Sequence, residues 1–222
     1  MKIGMVTPGQ SPRDDIVPEM ETYLNKEVDI LQAGALDDIS KEEVAQSLNP
    51  DSDNDLLVTR MRDGSSVTVS EAKITPRVQH CVEKLEKEDA PIILVLCTGN
   101  FPTLQSKSLL IKAGNIFTGV VKNISHGDRV GVMIPNAAQA GRSREKWGSL
   151  GIEIKIVVEA SPYSSMGAIE AAARRLGEEE LNLIALDCLG YNIRMKELVR
   201  KITNKPVVLP RSILARVLAE LL

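Results

Sequence analysis

Histidine, cysteine and aromatic side chains are scarce in this chain. Its 222 residues include two His, three Cys, and Phe, Trp and Tyr at only 3% together. Each shortage removes a class of chemistry. Cys81, Cys97 and Cys188 are odd in number and far apart, and no C-x-x-C pair occurs. That argues against a disulfide framework and against zinc. Neither His80 nor His126 lies near a candidate nucleophile in sequence, so no metal site and no serine–histidine triad is expected. Positive charge is not in excess either: the net charge is −3. A basic face for nucleic acid or for an anionic membrane is therefore not expected. Long hydrophobic runs are absent, and "MKIGMVTPG" carries one lysine and a short apolar stretch. No export signal or membrane span is expected, and the default compartment is cytoplasmic.

What is present is an ordinary globular composition, 43% hydrophobic and 26% charged. Short apolar runs alternate with helical patterns. Strands are expected at 2–6, 28–34, 128–135, 152–160 and 205–210, and in the runs leading into Cys97 and Cys188. Helices are expected at 13–24, 41–48, 70–88, 103–114, 137–151, 165–179, 193–202 and 212–222, with Ser40 and Glu43 at capping-box spacing. Strands spaced by helices imply parallel α/β sheets. "LLVTRMRDGSSVTVS" (56–70) turns at Asp63-Gly64 between two β-rich runs and reads as an antiparallel hairpin. That hairpin is expected either to cover a cleft or to join two copies of the chain as a homodimer. The halves share a layout of strand, helix, strand, helix and a strand ending in cysteine. Two lobes with a cleft between them is the economical architecture.

"PIILVLCTGNFP" (91–102) and "LNLIALDCLGY" (181–191) each run an apolar strand into a thiol. In open α/β sheets, ligands gather beyond the carboxyl ends of strands. A lone strand-end cysteine is most often packing, and Cys81, inside a helix, reads that way. Two at matching places suggest a pair that works as base and acid on opposite faces of a planar carbanion. The loop "TPGQSPR" (7–13) offers Thr7, Gln10, Ser11, Arg13 and free N–H groups, donors that suit a small-molecule carboxylate. Thr98 and Asn100 are turn formers or substrate donors. Asp187 is either a turn cap or a carboxylate that raises the Cys188 pKa. Tyr191 is a second-lobe candidate. Arg194 reads as a solvated charge, and Ser164 and Ser165 as caps of the following helix.

The segments "IGMVTPGQSPRDDIVPEM", "VTVSEAKITPRVQ", "GDRVGVMIP", "LDCLGY" and "ILARVLAELL" resemble the AroM-like family, within the aspartate/glutamate/hydantoin racemase superfamily. The resemblance spans nearly the whole chain. It implies cofactor-independent enzymes with two pseudo-symmetric lobes, here 1–115 and 116–209. The site would lie between them, and the last helix (210–222) would return to the first lobe. It also implies Cys97 and Cys188 as the catalytic pair. The chain departs from the racemase pattern in three places. Thr98-Gly99-Asn100 replaces Asn-Thr after the first cysteine. Asp187-Cys188-Leu189-Gly190 replaces Gly-Cys-Thr-His. The polar donor expected near Ile134-Pro135 is changed. Three functions remain open: a racemase or isomerase, a related decarboxylase or lyase, and a binding protein that kept the fold.

Overall fold

The structure is a computed structural model that describes residues 1–24, 27–125 and 129–222. His126 lies outside the described residues. The chain begins with β1 (Lys2–Thr7), α1 (Val17–Glu21), β2 (Asp29–Gly34) and α2 (Lys41–Ser47). Next come β3 (Leu56–Arg60), β4 (Ser66–Ser70), α3 (Glu71–Lys87), β5 (Ile92–Val95), β6 (Leu109–Lys112) and α4 (Ala113–Ser125). A second series follows: β7 (Val130–Ile134), α5 (Ala140–Gly148), β8 (Ile154–Glu159), α6 (Met166–Gly177), β9 (Leu183–Leu186), α7 (Ile193–Thr203), β10 (Val207–Val208) and α8 (Pro210–Leu221).

Two four-stranded sheets result, in the orders β2-β1-β5-β6 and β10-β9-β7-β8, and every pairing within them is parallel. The strands β5, β7 and β9 are buried along their whole length. Continuous apolar runs are what a parallel strand covered on both faces requires. The antiparallel pair β3–β4 stands apart from both sheets, with Leu56 opposite Ser70 and Arg60 opposite Ser66. Its turn uses Gly64 at φ +88°, a backbone angle that glycine adopts without steric cost. The capping box forms as expected: Glu43 N–H donates to Ser40 Oγ and Ser40 N–H to the Glu43 carboxylate. Ser165 caps α6 by accepting from the Ala168 amide.

Two expectations fail. Residues 103–114 are not a helix. Leu109–Lys112 form the edge strand β6, parallel to β5, and α4 follows directly. The Leu109 amide donates to Pro91 O at 3.0 Å and Ser108 Oγ to Ala90 O at 2.7 Å, so pairing to β5 fixes the segment. The helix expected over 13–24 shrinks to α1, with a proline in its first turn. Its upstream residues are drawn into a turn by the burial of Arg13, described below. The C-terminal helix α8 packs Leu214, Ala215 and Leu218 into a cluster with Ile3, Met5, Ile92 and Leu94 of the first sheet. At its start Arg211, 1% exposed, donates to the carbonyls of Asp15, Leu189 and Gly190.

Candidate active site

Cys97 and Cys188 each lie two residues beyond the end of a central strand, β5 and β9 respectively. Their turns match bond for bond. Each cysteine amide donates to the carbonyl two residues back, Val95 and Leu186, at 2.9 Å in both cases. Each sulfur accepts an N–H from the glycine two residues on, Gly99 at 3.3 Å and Gly190 at 3.4 Å. Cys-x-Gly is thus one local structure built twice. Both cysteines are partly exposed, and both line one cavity of about 30 Å³ together with Arg13, Thr98, Tyr163 and Asp187. Thr98 Oγ1 reaches the Asp187 carbonyl at 3.4 Å, so the two cysteine loops touch.

Arg13 is 4% exposed and commits four of its five N–H donors to protein groups. It donates to both Asp15 carboxylate oxygens at 2.8 and 2.9 Å, to Thr7 Oγ1 at 2.9 Å and to the Tyr163 hydroxyl at 3.3 Å. Thr7 Oγ1 also accepts from the Gly9 amide, so Thr7 orients the guanidinium. Burial alone would raise the Asp15 pKa, but the bonds and charges of Arg13 and Arg60 outweigh it and hold the carboxyl at about 2. Arg60 also lies over the Tyr163 ring.

Burial dominates the thiols. It pushes Cys97 up to about 12, against the Gly99 N–H, which favours thiolate. It pushes Cys188 up to about 11, where Gly190, Arg13 and Arg211 favour thiolate and Asp187 opposes it. Asp187 therefore acts on Cys188 in the expected direction, as a smaller influence than burial. It is no turn cap: its carboxylate accepts from Lys146 Nζ at 2.9 and 3.0 Å and from Trp147 Nε1 at 3.1 Å. Cys81 is buried in α3, and burial raises it to about 11.

The expected site residues divide. Thr7, Arg13, Thr98 and Asp187 gather at or directly behind the cavity. Gln10, Ser11 and Tyr191 do not line it. Gln10 bonds the carbonyls of Leu36 and Ile39 and the amide of Arg62. Ser11 bonds Asp37 through both its amide and its hydroxyl. These two pin the loop to its neighbours and offer the cavity nothing. Tyr191 is a core residue whose hydroxyl donates to Ala160 O at 2.7 Å. Asn100 is exposed and lines a neighbouring chamber of about 460 Å³, which shares Leu57, Thr98, Gln139 and Asp187 with the cysteine cavity. Arg194 is exposed, as expected. Sequence reasoning missed Asp15, Tyr163, Lys146 and Trp147. The one available signal was the single tryptophan, since a buried indole N–H needs an acceptor.

Residues 3–222 match the family model described as AroM protein. The chain belongs to the AroM family. No curated protein sequence matches it. Among solved structures, this AroM-family chain is similar to an allantoin racemase from Klebsiella pneumoniae, with TM-score 0.67, 13% identity, and coverage of 100% of this chain and 87% of the other. It is also similar to an arylmalonate decarboxylase, at TM-score 0.65, 13% identity and coverage of 99% and 92%. A maleate isomerase from Pseudomonas putida S16 aligns at TM-score 0.66, 10% identity and coverage of 100% and 92%. At such identities the likeness is one of fold. Among the described residues no helix is long and apolar enough to cross a membrane, and no cluster of His, Cys, Asp and Glu could hold a metal ion.

Proposed function

We propose that this AroM-family chain is a racemase- or isomerase-like enzyme in which Cys97 and Cys188 exchange protons with a small carboxylate-bearing substrate. The observation that carries the reading is the duplicated Cys-x-Gly turn, with both cysteines lining one cavity. The neighbouring folds are those of a racemase, a decarboxylase and an isomerase, which fits the reading.

In this mechanism one cysteine, as thiolate, takes the proton from the carbon beside the carboxylate. The C–H electron pair moves into an enolate, and the opposite thiol delivers its proton to the other face. The site ends with the two cysteines' roles exchanged. The donors for the carboxylate and enolate oxygens are the fifth N–H of Arg13, the Tyr163 hydroxyl, which otherwise accepts from Arg13, and the Thr98 hydroxyl, which would exchange the Asp187 carbonyl for substrate. Arg13 is kept charged and aimed by Asp15 and Thr7. Because burial raises both thiols, the rising limb of the pH–rate profile is expected above neutrality.

The test is incubation in heavy water with allantoin, an arylmalonate, maleate, and a panel of amino and hydroxy acids, following deuterium at the acidic carbon, product stereochemistry and carbon dioxide. At least one compound is expected to exchange or turn over. Cys97→Ser and Cys188→Ser should each slow it by about 10²–10⁴-fold, because a hydroxyl is a far weaker acid than a thiol near 8.5. Carbon dioxide release would favour the decarboxylase alternative. Tight ligand binding with no turnover, unchanged in both serine variants, would favour the binding-protein alternative.

A further inference from the structure

Lys146 spends its ammonium group between the two cysteine loops. Its Nζ donates to Thr98 O at 3.1 Å and to the two Asp187 oxygens at 2.9 and 3.0 Å. An ammonium has three donors, so all are used. Thr98 directly follows Cys97, and Asp187 directly precedes Cys188. The lysine belongs to a third element, α5, which is itself fixed in place. The adjoining Trp147 is fully buried, donates to the same carboxylate, and packs edge-on against Phe117 of α4 with ring centroids 5.7 Å apart. One turn earlier, Arg142 bonds Leu56 O and the Glu71 carboxylate. One face of α5 thus grips the first lobe at the hairpin, at α3 and at the Cys97 loop.

We propose that Lys146 is the positioning residue of this site: its ammonium ties the Cys97 loop to the Asp187 carboxylate, fixing how the two thiols face each other and neutralising the anion beside Cys188. The inference rests on the two-cysteine reading for its catalytic meaning, but its physical content is independent of turnover. The groups facing the thiols bear on it. Glu71, Lys146 and Cys188 act on Cys97. Arg13, Asp187 and Arg211 act on Cys188, and the Tyr163 phenol stands beside it. Lys146 favours the Cys97 thiolate directly, and it favours the Cys188 thiolate indirectly by offsetting Asp187.

The two routes separate experimentally. Iodoacetamide labelling of Cys97 and Cys188 is followed by peptide mapping between about pH 7 and pH 10, where rate tracks thiolate fraction. The full-length chain is compared with Lys146→Met, Asp187→Asn and the double variant. In Lys146→Met both cysteines should label more slowly at a fixed pH, about tenfold for each unit by which the pKa rises. Cys97 has lost a nearby cation, and Cys188 faces an unpaired carboxylate. In the double variant Cys188 should recover the wild-type rate or exceed it, while Cys97 stays slow. If the unpaired buried carboxylate prevents Lys146→Met from folding, the double variant decides alone, since it leaves no uncompensated charge. Wild-type labelling of Cys97 in the double variant overturns the proposal, and so does equal acceleration of both cysteines. A shifted labelling profile without substrate exchange would leave the Lys146 tie standing and remove the two-cysteine reading.

Discussion

Glycine two residues after each cysteine lets a backbone N–H point at the sulfur while other groups crowd the turn. A Cβ on Gly190 would lie 2.7 Å from Pro162 Cγ and 2.8 Å from the Tyr163 hydroxyl, and one on Gly99 would lie 3.0 Å from the Glu71 carboxylate. Gly190→Ala is therefore expected to displace Tyr163 and weaken its bond to Arg13. It should destabilise the fold by about 1–3 kcal/mol, the usual cost of overpacking, and slow Cys188 labelling while sparing Cys97. Urea unfolding with peptide mapping checks both outcomes, and an unchanged midpoint would show that the Tyr163 contact gives way freely. Legibility at this scale was uneven for a physical reason. Cys97 and Cys188 stand out because each sits just beyond a strand end in sequence, and Arg13 because it closes the polar loop that follows β1. Tyr163 and Arg13 are 150 residues apart, and Lys146 and Asp187 are 41 apart. "SREKW" reads only as part of the helix at 137–151 until the fold turns Lys146 and Trp147 onto one carboxylate. Gln10, Ser11 and Tyr191 are plausible donors by type, but nearby carbonyls, amides and Asp37 claim them first.

The hairpin β3–β4 contributes Leu57, Val58 and Thr59 to the wall of the cysteine cavity. About 30 Å³ admits a water molecule or two and no carboxylic acid. The hairpin belongs to neither large sheet and is held instead by Leu57 and Val69 in the neighbouring core and by the Arg60–Asp15 ion pair. Its first residue is gripped by Gln139 Nε2, just before α5 and 3.1 Å from Leu56 O, and by Arg142 of α5. Arg142→Ala is expected to loosen that grip and to raise the labelling rates of Cys97 and Cys188 together, about threefold or more, leaving buried Cys81 unchanged. Equal rates in the variant and the parent would mean that reagents enter elsewhere, for instance through the 460 Å³ chamber. Asp63-Gly64 announced this hairpin because its turn chemistry is local. The strand β6 gave no such signal: "LLIK" is short, and its pairing to β5 is a tertiary fact. The helix α4 buries Ala113, Phe117, Val121 and Ser125 at intervals of four, a helical period that the misplaced helix at 103–114 obscured.

At the scale of the whole molecule, burial pushes Cys81, Cys97 and Cys188 up to about 11, 12 and 11, above the ordinary thiol value. The folded state therefore holds these protons more tightly than the unfolded chain. The resulting stability is fully present below about pH 9 and is lost as pH rises through 11 to 12. Urea midpoints should fall between about pH 8 and pH 10.5, and should fall less in Cys97→Ser/Cys188→Ser, whose hydroxyls do not titrate there. An equal fall in both proteins would assign the alkaline loss to other groups. The parallel α/β architecture was legible from alternating strand and helix patterns. The meeting of the two cysteine loops was expected from their matching strand ends, but the contacts that bring it about were not legible, because α5 and α8 bridge elements remote in sequence. That meeting is the core of the account, and mutual protection tests it most directly. The chain is treated with limiting iodoacetamide, and intact mass and peptide maps show where the adducts lie, with Cys81 as internal reference. Two thiols on one small cavity predict that a carbamidomethyl group on either cysteine shields the other, so that molecules labelled at both Cys97 and Cys188 are far rarer than the product of the single frequencies. Independent labelling, with each cysteine reacting at the same rate in wild type as in the serine variant of its partner, would contradict a shared site.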